Sequence, residues 1–336
     1  FCSISKNNLL KNTRIYNVDC LTIFENYLQS KLFIGLPVYN VENTIRKTLD
    51  SITSQTFKEF KWLISDNNST DSTASICKEF TKIDSRIQYI KQQKNIGWLN
   101  NFLFLLDHAN SKYFVWIAGD DYWNIEFLEK NIKILDSQPN LIGSFSKIGI
   151  SGDYFHKFDF NKKDNFIQNF YKKIRRHYLS LDLYDISGET YEERIKLCLK
   201  SSRYGLYLFS VFHTDILKKS VNFDIHPWDW GLILIILKYG KINKINEILT
   251  YRSSGGTSNT NIFIHISDKK RKLKQILFPK STFTKWFFKN IGKKIFFQNF
   301  GYFVKLSFSG PMIILLDLIK YLKFLNSKKL SSAKNG

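Results

Sequence analysis

Cysteine is scarce in this 336-residue sequence, and the four cysteines lie far apart, at Cys2, Cys20, Cys77 and Cys198. No two of them form a Cys-x-x-Cys pair, which argues against a disulfide framework or a zinc ribbon and predicts a reducing, cytoplasmic compartment. No run of 18 or more apolar residues occurs, so we expect no clear membrane-spanning helix. Residues 1–30 are polar and lack the apolar core of a signal peptide, and we interpret them as a lead-in segment.

Acidic residues are also in deficit, because 29 Asp and Glu oppose 50 Lys and Arg and leave a formal charge of +21. The imbalance is concentrated in residues 271–336, where 14 basic residues accompany a single acid, Asp317. Aromatic residues alternate with lysines there, which predicts a basic amphipathic helical extension on an anionic membrane surface. The alternative is a helix that packs on the rest of the protein and exposes a solvated basic face.

Apolar residues make up 43% of the sequence, which is enough for a large core. Four short apolar runs each precede a stretch with apolar residues at helical spacing, and they lie at 32–36, 60–64, 87–90 and 113–117. This alternation predicts an α/β fold with a mainly parallel central sheet flanked by helices. After residue 150 the alternation is lost, although 204–212 is predicted as a strand or buried segment and 232–237 as an apolar helix.

Polar residues follow three of these predicted strands, at Tyr39, Asp66 and the pair Asp120-Asp121. Because the carboxyl ends of parallel strands meet at one edge of a sheet, we expect the three loops to converge on a ligand. Adjacent carboxylates are oxygen ligands for Mg²⁺ or Mn²⁺, and a buried aspartate can accept a hydrogen bond from a nucleobase. The alternatives are helix caps or an Asx-turn for the aspartates and a core position for the tyrosine.

Asp229 stands between two tryptophans at the start of a predicted helix. Partial desolvation by the indoles is expected to raise its pKa toward the working range of a general base. Its alternative is a helix cap, and Asp215, Asp224 and His226 are rival candidates for the base.

Taken in order, these residues resemble a family 2 glycosyltransferase with the GT-A fold. The resemblance covers residues 31–150 and rests on five motifs with the family's spacing. They are Pro37-Val38-Tyr39-Asn40-Val41-Glu42, the helix 49–56, the loop 66–73, Asn95-Ile96-Gly97 and Gly119-Asp120-Asp121-Tyr122-Trp123. Ala118 departs from the pattern, because it occupies the place of the first aspartate in the family's metal motif. Further along, Trp228-Asp229-Trp230, Tyr251-Arg252 and the segment 255–258 resemble the family more loosely.

The resemblance implies an inverting transfer of a sugar from a nucleotide-diphosphate donor to a saccharide or lipid-linked acceptor. Asp229 is then the catalytic base, and Asp120, supported by Asp121, holds the divalent cation, Mg²⁺ or Mn²⁺. The implied donor-binding residues are Pro37, Tyr39, Glu42, Asp66, Lys94, Asn95, Gly97, Gly119, Asp120 and Arg252. Arg203 is a further candidate on the acceptor side, without an assigned role.

The implied organisation places the nucleotide-sugar-binding half at 31–150, the acceptor-binding half at 151–270 and a membrane-associating region at 271–336. The partners are the donor, the acceptor and an anionic membrane, with no nucleic acid, at the inner face of a bacterial cytoplasmic membrane. Bacterial surface polysaccharide assembly is the expected pathway.

Two other classes of function stay open. A sugar nucleotidyltransferase would share the fold but would require a Gly-rich basic loop after the first strand. A nucleic-acid-binding protein would explain the charge but not the converging carboxylates.

Overall fold

The computed structural model describes residues 30–151, 183–201, 203–221, 228–253 and 281–307, together with residues 166, 169 and 172. The described chain begins with four β-strands that are separated by three α-helices. The strands are β1 (Leu32–Val38), β2 (Phe60–Asp66), β3 (Ile87–Lys91) and β4 (Tyr113–Trp116), and the helices between them are α1 (Ile45–Thr53), α2 (Thr73–Ile83) and α3 (Trp98–Asp107). The four predicted strands and the helices that follow the first three are therefore confirmed.

Further elements come from the middle of the chain. The strands are β5 (Tyr122–Trp123), β6 (Leu141–Ser151), β7 (Val211–His213) and β8 (Lys241–Ser253). The helices are α4 (Phe127–Ser137), α5 (Tyr191–Lys200), a 3₁₀ helix (Tyr204–Phe209), α6 (Thr214–Ser220) and α7 (Trp228–Ile236). In the last described segment, α8 (Ser281–Asn290) and α9 (Lys293–Gln298) precede a helical stretch at 300–307.

The strands form one eight-stranded sheet with the order β3-β2-β1-β4-β7-β6-β8-β5. Within the described residues, β1 pairs in parallel with both β2 and β4, β2 with β3, and β6 with β8. The pairings that involve β7 or β5 are antiparallel. The fold is a mixed sheet with flanking helices, as expected, and the two predicted halves share it.

One local expectation is corrected, because the apolar run 32–36 predicts a strand that ends before Pro37, whereas β1 continues to Val38. The carbonyl oxygen of Gly35 accepts a hydrogen bond from Ile117 N on the β4 side. Pro37 faces the same side of β1, but β4 has already ended there. Because no partner strand is present at that point, the missing N–H of the proline leaves no hydrogen bond of the sheet unmade. The segment 204–212, predicted as a strand or buried segment, is buried over most of its length and forms a 3₁₀ helix followed by a short strand.

Alternate residues of β1 enter two separate cores, one on each face of the sheet. Phe33 packs in the core that contains α3 and α7, whereas Leu32 and Ile34 pack in the core that contains α1 and α4. A side chain at Gly35 would meet the Phe114 ring at 2.9 Å, so this ring packs directly on the Gly35 backbone. Both faces are buried because the parallel strands are covered by their crossover helices.

The C-terminal helices pack on the first of these cores. Phe283 and Phe287 are fully buried and Phe303 is nearly so. The Phe283 ring lies 5.2 Å from the ring of Trp230 on α7, measured between centroids. The alternative interpretation of the basic extension, a helix packed on the domain, is therefore observed for 281–307. Residues 1–29 and 308–336 lie outside the described residues.

No helix among the described residues combines the length and the hydropathy that crossing a membrane requires.

Candidate functional site

A cavity of about 560 Å³ opens at the carboxyl edge of β1, β2 and β4. Five of the predicted binding residues line it, namely Pro37, Tyr39, Asn95, Gly119 and Asp120. The other lining residues are Val38, Asn40, Val41, Asn43, Thr44, Asn67, Trp98, Asn101, Phe102, Ala118 and Ser253. The structure therefore brings the three predicted loops together around one cavity. The lining combines aromatic rings, amides and one carboxylate, which is a composition typical of a small-molecule site.

The loops after β1 and β2 hold each other in place. Asn40 adopts a positive φ of 50°, and its side-chain oxygen accepts a hydrogen bond from Thr70 N at 2.9 Å. Its own backbone N–H donates to the hydroxyl of Ser69 at 3.0 Å. Glu42 accepts from Ser72 N at 2.9 Å, just before α2 begins. Glu42 is thus a link between the two loops and does not line the cavity.

Asp66 ends β2 and is completely buried beneath the cavity-facing loop. One carboxylate oxygen accepts from Ser69 N at 2.7 Å and the other accepts from the hydroxyl of Tyr89 at 2.6 Å. Burial and this hydrogen bond raise the pKa of Tyr89. Tyr39 differs, because its side chain is 47% exposed at the cavity, so it does not occupy the core position considered as its alternative.

The loop before α3 is organised by two asparagines. Asn67 donates to the side-chain oxygen of Asn95 at 3.0 Å and accepts from Ile96 N at 2.8 Å. The same Asn95 oxygen also accepts from Gly97 N at 2.9 Å. Gly97 has a φ of 85°, a conformation that a glycine adopts without strain. Lys94 is exposed and does not line the cavity.

The two adjacent aspartates face different surroundings. Asp120 lines the cavity and is partly exposed, whereas Asp121 is only 3% exposed. One oxygen of Asp121 accepts from Ser253 N at 3.3 Å, and the other lies 3.5 Å from Nε of Arg252. Burial raises the pKa of Asp121 to about 7, and the Arg252 charge opposes that rise. Asp121 therefore ties the metal-motif loop to the end of β8.

Asp229 lies on the first turn of α7, away from the cavity lining. Its carboxylate fits against the backbone of Gly205, since a Cβ at Gly205 would stand 2.1 Å from the Asp229 oxygen. The start of α7 also reaches the end of β4, where the Trp116 and Trp228 rings cross with their centroids 6.2 Å apart. β4 leads directly into the loop of Asp120, so α7 borders the same edge of the sheet.

Of the rival candidates for the catalytic base, the structure describes Asp215. Asp215 is on the surface, where it pairs with Lys219 at 3.4 Å and both side chains are about two-thirds exposed. Asp224, His226 and the segment 255–258 lie outside the described residues.

Cations of the size of Mg²⁺ are held in proteins by one or two carboxylates together with substrate phosphates and water. Among the described residues, no group of three or more His, Cys, Asp or Glu side chains could hold a metal ion by itself. Asp120 is the carboxylate on the cavity. This donor set therefore fits a cation shared with a bound phosphate.

Sequence reasoning missed Trp98 and Ser253 as cavity residues. Trp98 is 51% exposed at the start of α3 and its ring meets Phe102 edge-on. An exposed aromatic residue directly after Gly97 was a usable signal. Ser253 carries no such signal, because the pairing of β8 with β5 and β6 brings it to the cavity.

The family model described as Glycosyl transferase family 2 matches residues 33–190. This match spans β1 to β6 and every cavity residue except Ser253. Residues 33–190 therefore match the glycosyl transferase family 2 model, and the resemblance that the motifs predicted is confirmed.

Individual relatives agree with this assignment. Glycosyltransferase GlyA from Streptococcus pneumoniae is 35% identical over 133 residues, 38% of this chain and 19% of that protein. The putative teichuronic acid biosynthesis glycosyltransferase TuaG from Bacillus subtilis is 30% identical over 99 residues, 30% of this chain and 39% of that protein. The matches thus span less than half the length of these relatives.

The fold is shared with a solved structure of the mannosyltransferase PcManGT from Pyrobaculum calidifontis in complex with GDP-Man and Mn²⁺. The TM-score is 0.51 at 13% identity, and the match covers 86% of this chain and 73% of the other. The expected GT-A architecture is thereby confirmed.

Proposed function

We propose that this protein is an inverting glycosyltransferase that moves a sugar from a nucleotide-diphosphate donor to a saccharide or lipid-linked acceptor. The observation that carries the proposal is the cavity at the carboxyl edge of the sheet, where Asp120 meets the aromatic and amide groups of the loops. The family 2 match supports the reaction class, and PcManGT, which has the same fold, was solved with GDP-Man and Mn²⁺.

The nucleoside is assigned to the part of the cavity beside Tyr39 and Pro37. Tyr39 presents a half-exposed ring for stacking. Asp66 and Glu42 act there by fixing the loops around the base, since their oxygens are engaged by backbone and side-chain donors. Asn95 and Gly97 form the opposite loop. Lys94 is exposed beside this loop, and we assign to it a contact with the donor phosphates.

The diphosphate is assigned to Gly119, Asp120 and Arg252. Asp120 is the residue that would hold the divalent cation. Asp121 would support the loop of Asp120, because its carboxylate contacts Arg252 and Ser253. When bound, Mg²⁺ or Mn²⁺ neutralises charge that develops on the leaving diphosphate. Gly119 lets the chain pass tightly under this site, because a side chain there would meet Val41 and Val38 at 3.1 and 3.2 Å.

The acceptor hydroxyl is assigned to Asp229. In a single displacement the acceptor oxygen bonds to the anomeric carbon, the bond to the diphosphate oxygen breaks with its electron pair, and Asp229 takes the hydroxyl proton. The position of Asp229 against Gly205 fixes the carboxylate, which general base catalysis requires.

The test is turnover of a panel of uridine, guanosine and thymidine diphosphate sugars, followed as release of the nucleoside diphosphate. The proposal expects one donor to be consumed, and Asp120→Asn and Asp229→Asn each to reduce turnover at least about 100-fold without unfolding the protein. Asp215→Asn is the control, because Asp215 is a surface residue paired with Lys219. Near-normal turnover by either active-site variant would refute the corresponding assignment.

The pathway proposed for this reaction is bacterial surface polysaccharide assembly at the inner face of the cytoplasmic membrane. Its support is the likeness to TuaG, described as a teichuronic acid biosynthesis glycosyltransferase, over 99 residues.

Membrane contact is assigned to the outward side of the C-terminal helices, opposite to the buried Phe287 and Phe303. Phe297, Phe300 and Val304 form an exposed apolar face, with 64%, 53% and 39% of their surfaces accessible. The segment 281–307 contains five lysines and no acid, and one of these lysines, Lys294, pairs with Glu192 of α5 at 3.4 Å. Each lysine near an anionic surface contributes about 1 kcal/mol, so a bilayer complements this face in both charge and polarity.

Sedimentation with vesicles tests the contact. We expect the protein to sediment with phosphatidylglycerol vesicles, and a Phe297→Ser and Phe300→Ser double variant to stay in the supernatant. Tyr239→Ser is the matched control, because Tyr239 is an exposed aromatic residue (50%) in the turn after α7. Equal sedimentation of wild type and the double variant would remove this face from the proposal.

A further inference from the structure

Trp98 is the tryptophan of this protein that lies most open to water. All seven tryptophans fall within the described residues, and Trp98 is 51% exposed, whereas the other six are buried or half-buried. Trp98 also lines the cavity. Because burial of an indole is strongly favourable, an indole left half in water at a cavity indicates a contact with a ligand.

The start of α3 holds Trp98 at this position. Trp98 is the first residue of the helix and directly follows Gly97, whose φ is 85°. One turn further along α3, the Phe102 ring meets the indole at 80°, with the two centroids 6.0 Å apart. Phe102 lines the cavity as well. The two rings do not stack face to face, so half of the indole surface stays available to a ligand.

A series of ring contacts connects Trp98 with the start of α7. The Phe102 ring lies 5.8 Å from the ring of Trp116 on β4, and the Trp116 ring lies 6.2 Å from that of Trp228, measured between centroids. Trp228 is the first residue of α7 and directly precedes Asp229. Trp98 therefore belongs to the wall of the cavity that continues toward the proposed base, on the face of the sheet where α3 and α7 pack.

The groups on this cavity suit the ring of a sugar. One face of a pyranose presents C–H bonds that pack flat on the electron-rich face of an indole, and the hydroxyl groups at its rim require hydrogen bonds. Among the described residues, Nε1 of Trp98 and Nδ2 of Asn95 donate to no acceptor, and the side chain of Asn43 makes no hydrogen bond. The cavity lining contains no lysine or arginine, so it offers stacking and amide groups rather than positive charge.

We propose that Trp98 is a specificity-determining residue whose indole stacks on a pyranose ring at the reacting end of the substrates. This assignment rests on the proposed function and adds to it a contact with the sugar. The nucleoside is assigned to Tyr39, whereas Trp98 lies on the wall that leads to Asp229, so the ring that reaches Trp98 is a sugar and not a base. Both the donor and the acceptor can supply such a ring.

The first experiment measures how far iodide quenches the tryptophan fluorescence of wild type. Because Trp98 is the exposed tryptophan, a ring that covers it is expected to reduce the quenching. The probes are UDP, GDP and dTDP, then UDP-glucose, GDP-mannose and dTDP-glucose, and finally the methyl glycosides of glucose, mannose and N-acetylglucosamine. We expect a sugar probe to protect and the nucleoside diphosphates not to protect. In Trp98→Phe the protection is expected to disappear.

The second experiment is calorimetric titration of the same probes into Trp98→Ala. If the donor supplies the ring, the nucleotide sugar is expected to bind about tenfold more weakly, with the affinity for its nucleoside diphosphate unchanged. If the acceptor supplies the ring, the affinity for the methyl glycoside is expected to fall instead. Tyr239→Ala is the matched control, because Tyr239 is an equally exposed aromatic residue (50%) outside the cavity lining, and it is expected to bind every probe as wild type does.

The outcomes separate this proposal from the proposed function. Protection by a nucleotide sugar places the donor sugar on Trp98, protection by a methyl glycoside alone places the acceptor sugar there, and either result supports the proposal. Protection by a nucleoside diphosphate alone shows that the indole stacks on the base and overturns it. Equal quenching with and without every probe also overturns it, while binding of a nucleoside diphosphate leaves the proposed function standing. Failure of UDP, GDP and dTDP to bind wild type contradicts both.

Discussion

Gly205 is the residue whose substitution most directly perturbs the proposed base. A Cβ at position 205 would lie 2.1 Å from the Asp229 carboxylate oxygen, 3.0 Å from its carboxylate carbon and 3.1 Å from Cδ1 of Trp230. Non-bonded Cβ contacts below 3.0 Å essentially never occur, so Gly205→Ala must displace the carboxylate by about 1 Å. Both the chemistry and the packing of α7 are affected.

A displacement of this size has a predictable cost. A misplacement of about 1 Å reduces catalysis by about 100-fold, and overpacking of a buried position costs about 1–3 kcal/mol of unfolding free energy. We expect Gly205→Ala to lower kcat by about that factor. Its affinity for the nucleoside diphosphate is expected to stay unchanged, because Gly205 does not line the cavity.

The assay is steady-state release of nucleoside diphosphate from the donor, with calorimetry for donor binding and a melting curve for folding. Gly301→Ala is the matched control, because an added Cβ there meets nothing within 4 Å. This control variant is expected to keep full kcat and to gain up to about 1 kcal/mol from helix propensity. A folded Gly205→Ala protein with kcat within twofold of wild type would refute the placement of Asp229 as the base.

Three further predictions concern the fold and the donor loop. Phe287 is fully buried against Phe303, so Phe287→Ala is expected to cost about 3–5 kcal/mol in chemical denaturation, and an unchanged midpoint would contradict the packing of the C-terminal helices. Burial lowers the pKa of His213 below its ordinary 6.5, so the folded state binds fewer protons than the unfolded state and stability falls as the pH drops below that value. His213→Phe is expected to lose less stability than wild type between about pH 7 and pH 5 in urea titrations, and parallel losses would exclude the histidine as the cause. Gly97 has a φ of 85° and a ψ of 156°, so Gly97→Ala is expected to strain the Asn95 loop by about 1–3 kcal/mol and weaken donor binding, whereas unchanged affinity would show that this loop does not contact the donor.

The first half of the sheet was predictable because its strands are nearly continuous apolar runs. β1, β2 and β4 are buried on both faces, and the sequence shows this directly. β8 was not predicted as a strand, since it carries Asn243, Lys244 and Glu247 among its apolar residues and pairs through β-bulges with β6. The insertion of antiparallel β7 between β4 and β6 has no local signal at all.

The cavity could be anticipated from strand ends, but its inner border could not. Tyr39 and Asp120 follow strands that the sequence reveals, and parallel topology brings them to one edge. The contacts of Asp121 with Arg252, and of Gly205 with Asp229, join residues that are far apart in the chain. Only the packing of the 3₁₀ helix and β8 against that edge creates them.

The C-terminal segment shows a different limit of prediction from sequence. Alternating aromatic and basic residues are typical of an interfacial helix and also of a helix with one buried face. Phe283 and Phe287 are buried, whereas Phe297 and Phe300 are exposed. The same sequence pattern therefore produces both a buried face and an exposed face.

The central claim is that Asp120 holds a divalent cation against a nucleoside diphosphate in the cavity. Calorimetric titration of UDP and GDP into wild type and Asp120→Asn, with and without Mg²⁺ or Mn²⁺, tests it most directly. We predict that the cation strengthens binding of one nucleotide to wild type by about tenfold or more and has little effect on Asp120→Asn. Absence of binding, or the same cation dependence in Asp120→Asn, would contradict the claim.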